Sequence, residues 1–72
     1  MVTLRKRSLL LAGHATSVAL EPEFWVVLEQ MAQARDLSLA GLIAVLDAER
    51  GRRPLASACR VAALSWAKRG RD

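Results

Sequence analysis

The sequence predicts a mainly α-helical fold that begins with a short β-ribbon, ends in a third helix and exists as an intertwined homodimer. Residues 15–20 alternate between two kinds of side chain as a half-buried strand does, and two helical patterns follow between Glu21 and Gly51. One strand cannot make a sheet, and two short helices cannot enclose a core. This order of elements therefore asks for a second copy of the chain.

Size and composition point in the same direction. The chain has 72 residues, of which 53% are apolar. A monomer of this size would struggle to hide so many apolar side chains, because its surface is large relative to its volume. A dimer that shares one core can bury them, so the composition also favours a homodimer.

Positive charge is concentrated at the two ends of the chain. Three cations and no acid precede Glu21, and seven cations follow Glu49 against Asp72 alone, within a net charge of +4. The segment from Glu21 to Glu49 holds six acids and only Arg35 as a cation. Basic ends around an acidic centre suit a polyanion that meets one side of the molecule, and nucleic acid is the commonest such partner.

The pattern lacks what enzymes and metal sites require. Glu21 and Glu23 have no nucleophile beside them and suit the electrostatics of a helix start better than an acid–base pair. One histidine, His14, and one cysteine, Cys59, cannot complete a tetrahedral metal site. We therefore expect no enzymatic activity, no metal and no cofactor.

The lone cysteine also bears on location. Cys59 has no second cysteine with which to form an intrachain disulfide, and its alanine-rich surroundings suit a small buried filler, which fits a reducing cytoplasm. The apolar run over residues 9–12 is too short for a signal peptide, and no stretch approaches a membrane span. We expect a cytoplasmic protein.

The β-structure is expected at the start of the chain. A weaker first strand over residues 8–12 and a turn at Gly13 and His14 precede the strand over residues 15–20. The period of two separates the residues of that strand into an inward face of Thr16, Val18 and Leu20 and an outward face of Ala15, Ser17 and Ala19.

Three helices follow. Pro22 opens the first, Ser38 is the N-cap of the second, and Gly51 ends the second before a third helix runs from about Leu55 to Lys68. The predicted divisions are a basic N-terminal arm at 1–7, a core at 8–50, the third helix at 51–68 and a frayed tail at 69–72.

These elements resemble the ribbon-helix-helix fold of Arc-like and methionine-repressor-like proteins. The similarity is greatest to a bacterial subgroup of small domains, and it covers roughly residues 6 to 66. The motifs that carry it are Lys6-Arg7-Ser8, the Gly13 to Trp25 block, Leu37-Ser38-Leu39 and Asp47. The middle block is the specific part, since a piece such as Leu-Ser-Leu means nothing alone.

The resemblance implies a way of reading DNA. In that family two chains pair their strands into an antiparallel ribbon, one face of which enters the major groove. The base-facing positions here are Ala15, Ser17 and Ala19. Relatives usually carry arginine or another long polar residue at one or both alanine positions, so Ser17 is left as the only polar reader.

The resemblance also implies phosphate contacts. The family anchors DNA with the N-terminus of its second helix, where free N–H groups and the helix dipole meet a phosphate. The residues expected there are Ser38, Leu39 and Ala40. The N-terminal arm would add Arg5, Lys6 and Arg7.

Two functions remain open at this point. The first is a dimeric DNA-binding transcription regulator. The second is a protein-interaction module, antitoxin-like or an adaptor, that keeps the dimer fold and holds a partner protein through residues 54–68, with Trp66 as an exposed anchor. In either case the expected dimer core consists of Val18, Leu20, Phe24, Trp25, Leu28, Met31, Leu42, Ile43 and Leu46.

Overall fold

The computed structural model describes residues 3–70, which form a two-stranded sheet followed by three helices. The strands are β1 (Arg5–Leu11) and β2 (His14–Leu20), and the helices are α1 (Pro22–Ala34), α2 (Leu39–Glu49) and α3 (Leu55–Lys68). This order confirms the predicted short β-ribbon followed by three helices, while the intertwined homodimer stays a prediction. None of the helices in this part of the chain is both long enough and apolar enough to cross a membrane.

The two strands form an antiparallel hairpin within one chain, with Leu11 opposite His14 and Arg5 opposite Leu20. The turn is Ala12-Gly13, and both residues have positive φ, 50° and 83°. Positive φ at both central residues is typical of the turn whose twist matches that of the paired strands. The turn was predicted one residue too late, and His14 belongs to β2.

The hairpin corrects two sequence-based expectations. The first strand exists and begins at Arg5 rather than at residue 8, so the three cations Arg5 to Arg7 are strand residues and not a separate arm. The expectation that a single strand must find its neighbour in a second copy is also wrong, since β2 pairs with β1 of the same chain.

Helix α1 ends in a compact turn that aims the chain back towards α2. Asp36 has a φ of 57°, and the Leu37 N–H donates to the Ala32 carbonyl at 2.8 Å while the Asp36 N–H donates to the Gln33 carbonyl at 3.1 Å. This pair of bonds satisfies helix-end carbonyls in the Schellman arrangement. Ser38 then caps α2, as predicted, by accepting the Gly41 N–H on its hydroxyl oxygen at 2.9 Å.

The chain beyond α3 is short. Arg69 donates its N–H to the Trp66 carbonyl and Gly70 donates to the Ala67 carbonyl, so both residues close the helix end instead of fraying from it. The remainder of the predicted tail, residues 71 and 72, lies outside the described residues, as do residues 1 and 2 of the predicted arm.

The core closes within one chain because α3 and the hairpin supply the walls that two helices alone lack. Small residues on α3, Cys59 and Ala63, are buried and let the helix approach α1 and α2 closely. Seven of the nine residues expected in a dimer core are already buried here: Val18, Leu20, Trp25, Leu28, Met31, Leu42 and Ile43. Phe24 and Leu46 are half-buried against them. One chain therefore encloses a core with the help of α3 and the hairpin, so this reason to expect a dimer fails and the homodimer stays a prediction.

Candidate nucleic-acid interface

The hairpin has one face packed on the helices and one face open to solvent. Because side chains alternate along a strand, the residue pairs of the ladder alternate between the two faces. Val18 and Leu20 lie on the packed face and are 4% and 0% exposed. The open face, which we name the hairpin face, consists of Lys6, Ser8, Leu10, Ala15, Ser17 and Ala19.

Half of the hairpin face was predicted. The three residues assigned to base contacts, Ala15, Ser17 and Ala19, lie together on it; the first two are exposed and Ala19 is half-buried. The structure adds three residues from β1, of which only Lys6 had been assigned to DNA. Lys6 stands opposite Ala19, Ser8 opposite Ser17, and Leu10 opposite Ala15.

Ser8 and Leu10 were missed because their place depends on which two residues make the turn. Once Ala12-Gly13 is known to be the turn, counting back from it along both strands gives every pair. The Ser8 and Ser17 hydroxyl oxygens then lie 3.4 Å apart. A turn at Gly13-His14 would have given a different ladder, which is why the sequence alone did not place them.

The chemistry of the hairpin face suits a polyanion with apolar patches. Lys6 offers three hydrogen-bond donors and a positive charge, and the two serine hydroxyls can donate or accept. Leu10 is 69% exposed, and with the two alanines it gives apolar surface of the kind that contacts thymine methyl groups. No carboxylate belongs to this face.

The predicted cation trio is split between the two faces. Arg7 lies on the helix side of the sheet, where its guanidinium donates to a Glu29 carboxylate oxygen at 3.1 Å and stacks 5.0 Å above the centre of the Trp25 ring. The Trp25 indole N–H in turn donates to the Arg5 carbonyl at 2.8 Å. These contacts attach β1 to α1, so Arg7 is engaged in the fold while Lys6 is free on the hairpin face.

The predicted anchor at the start of α2 has the expected local geometry. Ser38 is exposed, and its hydroxyl is occupied by the Gly41 N–H. The first-turn N–H groups of Leu39 and Ala40 have no carbonyl one turn earlier in the helix, so they point out of its end. This is the arrangement that favours an anion.

Glu21, Arg60 and Cys59 serve the fold. A hydrogen bond from its own backbone N–H, followed by one from Arg60, lowers the pKa of Glu21, and the Arg60 guanidinium lies 2.9 Å from the carboxylate. This pair joins α3 to the start of α1. Burial raises the pKa of Cys59, which keeps the thiol protonated and unreactive.

No group of three or more His, Cys, Asp or Glu side chains within residues 3–70 is placed to hold a metal ion.

A family model described as ribbon-helix-helix domain matches residues 4–67. The chain belongs to the ribbon-helix-helix family. The match spans both strands and all but the last residue of α3, so β1 and α3 are parts of this ribbon-helix-helix domain and not additions to it. The domain is a DNA-binding type of fold. No curated protein and no solved structure matches this chain.

Proposed function

We propose that this ribbon-helix-helix protein is a homodimeric transcription regulator that lays the β2 strands of two copies side by side in the major groove of DNA. The observation that carries the proposal is the hairpin face, an open surface with a lysine, two hydroxyls and no acid, on an element that this family uses to bind DNA. A protein with this role is expected in the cytoplasm.

The free edge of β2 is the observation that supports the proposed dimer. In a two-stranded sheet β2 has a strand on one side only, and antiparallel pairing leaves half of its backbone N–H and C=O groups facing the other side. Proteins usually protect such an edge with lysine, proline or a bulge. β2 carries none of these, whereas β1 begins with three cations that would repel a second β1. The edge of β2 is therefore the better one for a second copy.

The small outward side chains of β2 suit the major groove, where the strand backbone must come close to the base edges. Pairing about Ser17 places a two-fold axis at the middle of the outward trio, with each Ala15 beside the partner's Ala19. A two-stranded ribbon fits the width of the major groove, and alanine lets the backbone come near the base edges. Ser17 supplies the polar contact to a base, and the start of α2 supplies phosphate contacts.

DNA binding is tested by gel shift with mixed genomic duplexes at two salt concentrations. A dimer that neutralises about six phosphates should show a log–log salt slope near −5. Ser17→Ala should mainly change which duplexes are retained, because it removes a base contact without removing charge. Absence of salt-sensitive binding at micromolar protein contradicts the proposal.

The dimer is tested by mass and by cross-linking. Light scattering should give about twice the 7.9 kDa of one chain across a dilution series. Ser17→Cys should form an intermolecular disulfide on mild oxidation, because directly opposite residues of paired strands lie within disulfide distance. Ser8→Cys on the other strand is the matched control and should stay monomeric on a non-reducing gel. A stable folded monomer, or equal cross-linking of both variants, contradicts pairing through β2.

A second candidate function is the protein-interaction module, and one observation favours it. An open groove of about 430 Å³ lies between α2 and α3, and its lining includes the apolar Leu46, Val61 and Ala62 together with Glu49, Arg50 and Arg53. Val61 is 47% exposed on α3 and so presents an apolar side chain to the groove. The predicted anchor Trp66 is instead half-buried against the core. The groove suits an amphipathic helix with an acidic residue beside Arg53.

A pull-down separates the two functions. Removing α3 would unfold the chain, because α3 completes the core, so a point change is the better probe. The wild type should pull down a stoichiometric partner protein and should bind it again after both are purified. Val61→Asp should lose this partner, while Leu10→Asp on the hairpin should retain it. Retention by Val61→Asp, or the absence of any stoichiometric partner, contradicts the interaction module.

A further inference from the structure

We propose that β1 lies over the sugar-phosphate backbone at each side of the major groove, where Lys6 and Ser8 contact phosphate oxygens, while β2 alone faces the bases. The proposal rests on the proposed function, since it requires DNA and a dimer paired through β2. In this arrangement β1, whose place in the ribbon the sequence does not define, has its own role in binding.

The widths of the sheet and of the major groove decide which strand meets which part of the DNA. The hairpin within each chain is observed, and pairing of the two β2 strands is proposed. Together they would make a four-stranded sheet in the order β1, β2, partner's β2, partner's β1. Neighbouring strands lie about 4.8 Å apart, so the two outer strands are about 14 Å apart. The major groove is about 12 Å wide. The central pair therefore fits over the base edges, and the outer strands fall on the rims.

The side chains of β1 agree with that position. Lys6 and Ser8 are exposed on the same face as Ser17, so they point towards the DNA that β2 would approach. A lysine with its flexible stem is a good phosphate ligand, and a serine hydroxyl is a common one. Arg7 cannot take this role without leaving Glu29 and Trp25.

The pairing also predicts what lies beside what across the sheet. With the axis at Ser17, the central row runs Ser8, Ser17, the partner's Ser17, the partner's Ser8. The flanking row runs Lys6, Ala19, the partner's Ala15, the partner's Leu10. Leu10 thus stands on the rim at the place that corresponds to Lys6 on the other side, and it is an unused phosphate position.

Loss of a contact is measured with Lys6→Ala. Kd is determined between 50 and 300 mM salt for the preferred duplex and for a random duplex. A dimer loses two phosphate contacts, so the log–log slope should become less steep by about 2 and the affinity at 0.1 M salt should fall by about tenfold or more. The loss should be equal for both duplexes. Lys68→Ala removes the same charge from the exposed end of α3 and should leave the slope unchanged.

Gain of a contact is measured with Leu10→Lys. Tighter binding by this variant cannot result from unfolding, so the test does not depend on unchanged stability. The added lysine should make the slope steeper by up to about 2 and tighten binding to both duplexes alike. Leu64→Lys is the matched control, because Leu64 is 58% exposed on α3 and the substitution adds the same charge away from the hairpin face. The control should change the slope little.

The measurements on the wild type and on Lys6→Ala distinguish failure of the proposed function from failure of the inference about β1. If the wild type binds no duplex at 50 mM salt, the proposed function fails and this inference fails with it. If the wild type binds DNA but Lys6→Ala keeps the wild-type slope, the inference alone is overturned. It is also overturned if Lys6→Ala weakens binding to the preferred duplex only. Lys6 would then contact a base, and β1 and β2 of one chain would occupy the groove together.

Discussion

Lys6 and Arg7 are neighbours in sequence and carry the same charge, yet the hairpin gives them opposite surroundings. Arg7 faces the helices, where it pairs with Glu29 and covers the Trp25 ring, and Lys6 faces solvent on the hairpin face. The same division runs along β2, where Val18 and Leu20 are buried and Ser17 is exposed. One face of the hairpin holds the fold together, and the other is left free for a ligand.

The largest difference between the two faces should appear in stability. Leu20 is fully buried on the packed face, so Leu20→Ala removes core volume and should lower the free energy of unfolding by about 3 kcal/mol. Ser17→Ala on the open face should change it by less than about 0.5 kcal/mol. Urea denaturation followed by circular dichroism measures both. Similar losses for the two variants would mean that the open face is packed in solution.

Lys6 and Arg7 provide the sharpest pair of variants. Arg7→Ala should cost about 1 kcal/mol of stability, since it removes a partly exposed ion pair and a contact with an aromatic ring. Lys6→Ala should cost almost nothing. The order should reverse in DNA binding measured at constant salt, where Lys6→Ala weakens binding and Arg7→Ala weakens it less. If Arg7→Ala is the more damaging to DNA binding, the division of the two faces is wrong.

A small gain in stability is expected at the turn between α1 and α2. Asp36 closes α1 with a positive φ of 57°, a conformation that glycine adopts without strain. Asp36→Gly should therefore raise the free energy of unfolding by about 0.5 kcal/mol, after the greater freedom of glycine in the unfolded chain is counted. Urea denaturation followed by circular dichroism measures the difference. A loss of stability would show that the aspartate side chain contributes more than its backbone strain costs.

Alternation in residues 15–20 was enough to predict both faces of β2, because the period of two is a local property of the strand. The helix starts at Pro22 and Ser38 were predictable for the same reason, since each depends on one residue type at one position. β1 was harder to predict. Its first three residues are cations that read as an arm, and its last three are leucines with no alternation.

The contacts between elements could not be predicted from the sequence. The pairing of Arg7 with Glu29 joins residues 22 positions apart, and that of Arg60 with Glu21 joins residues 39 apart. Nothing local distinguishes Arg7 from Lys6 until the turn fixes which of them faces the helices. Burial of Cys59 on α3 was predicted, but closure of the core within one chain was not, because the many small residues of α3 give a weak apolar signal although their size is what allows close packing.

The central claim is that the hairpin face is the surface that binds DNA. The most direct measurement is a titration of duplex DNA with Ser17→Glu and with Gln33→Glu, which add the same negative charge, one at the centre of the hairpin face and one at an exposed position on α1. Ser17→Glu should abolish binding, because a carboxylate there opposes the DNA, and Gln33→Glu should bind almost as the wild type does. Equal affinities of the two variants would contradict the account.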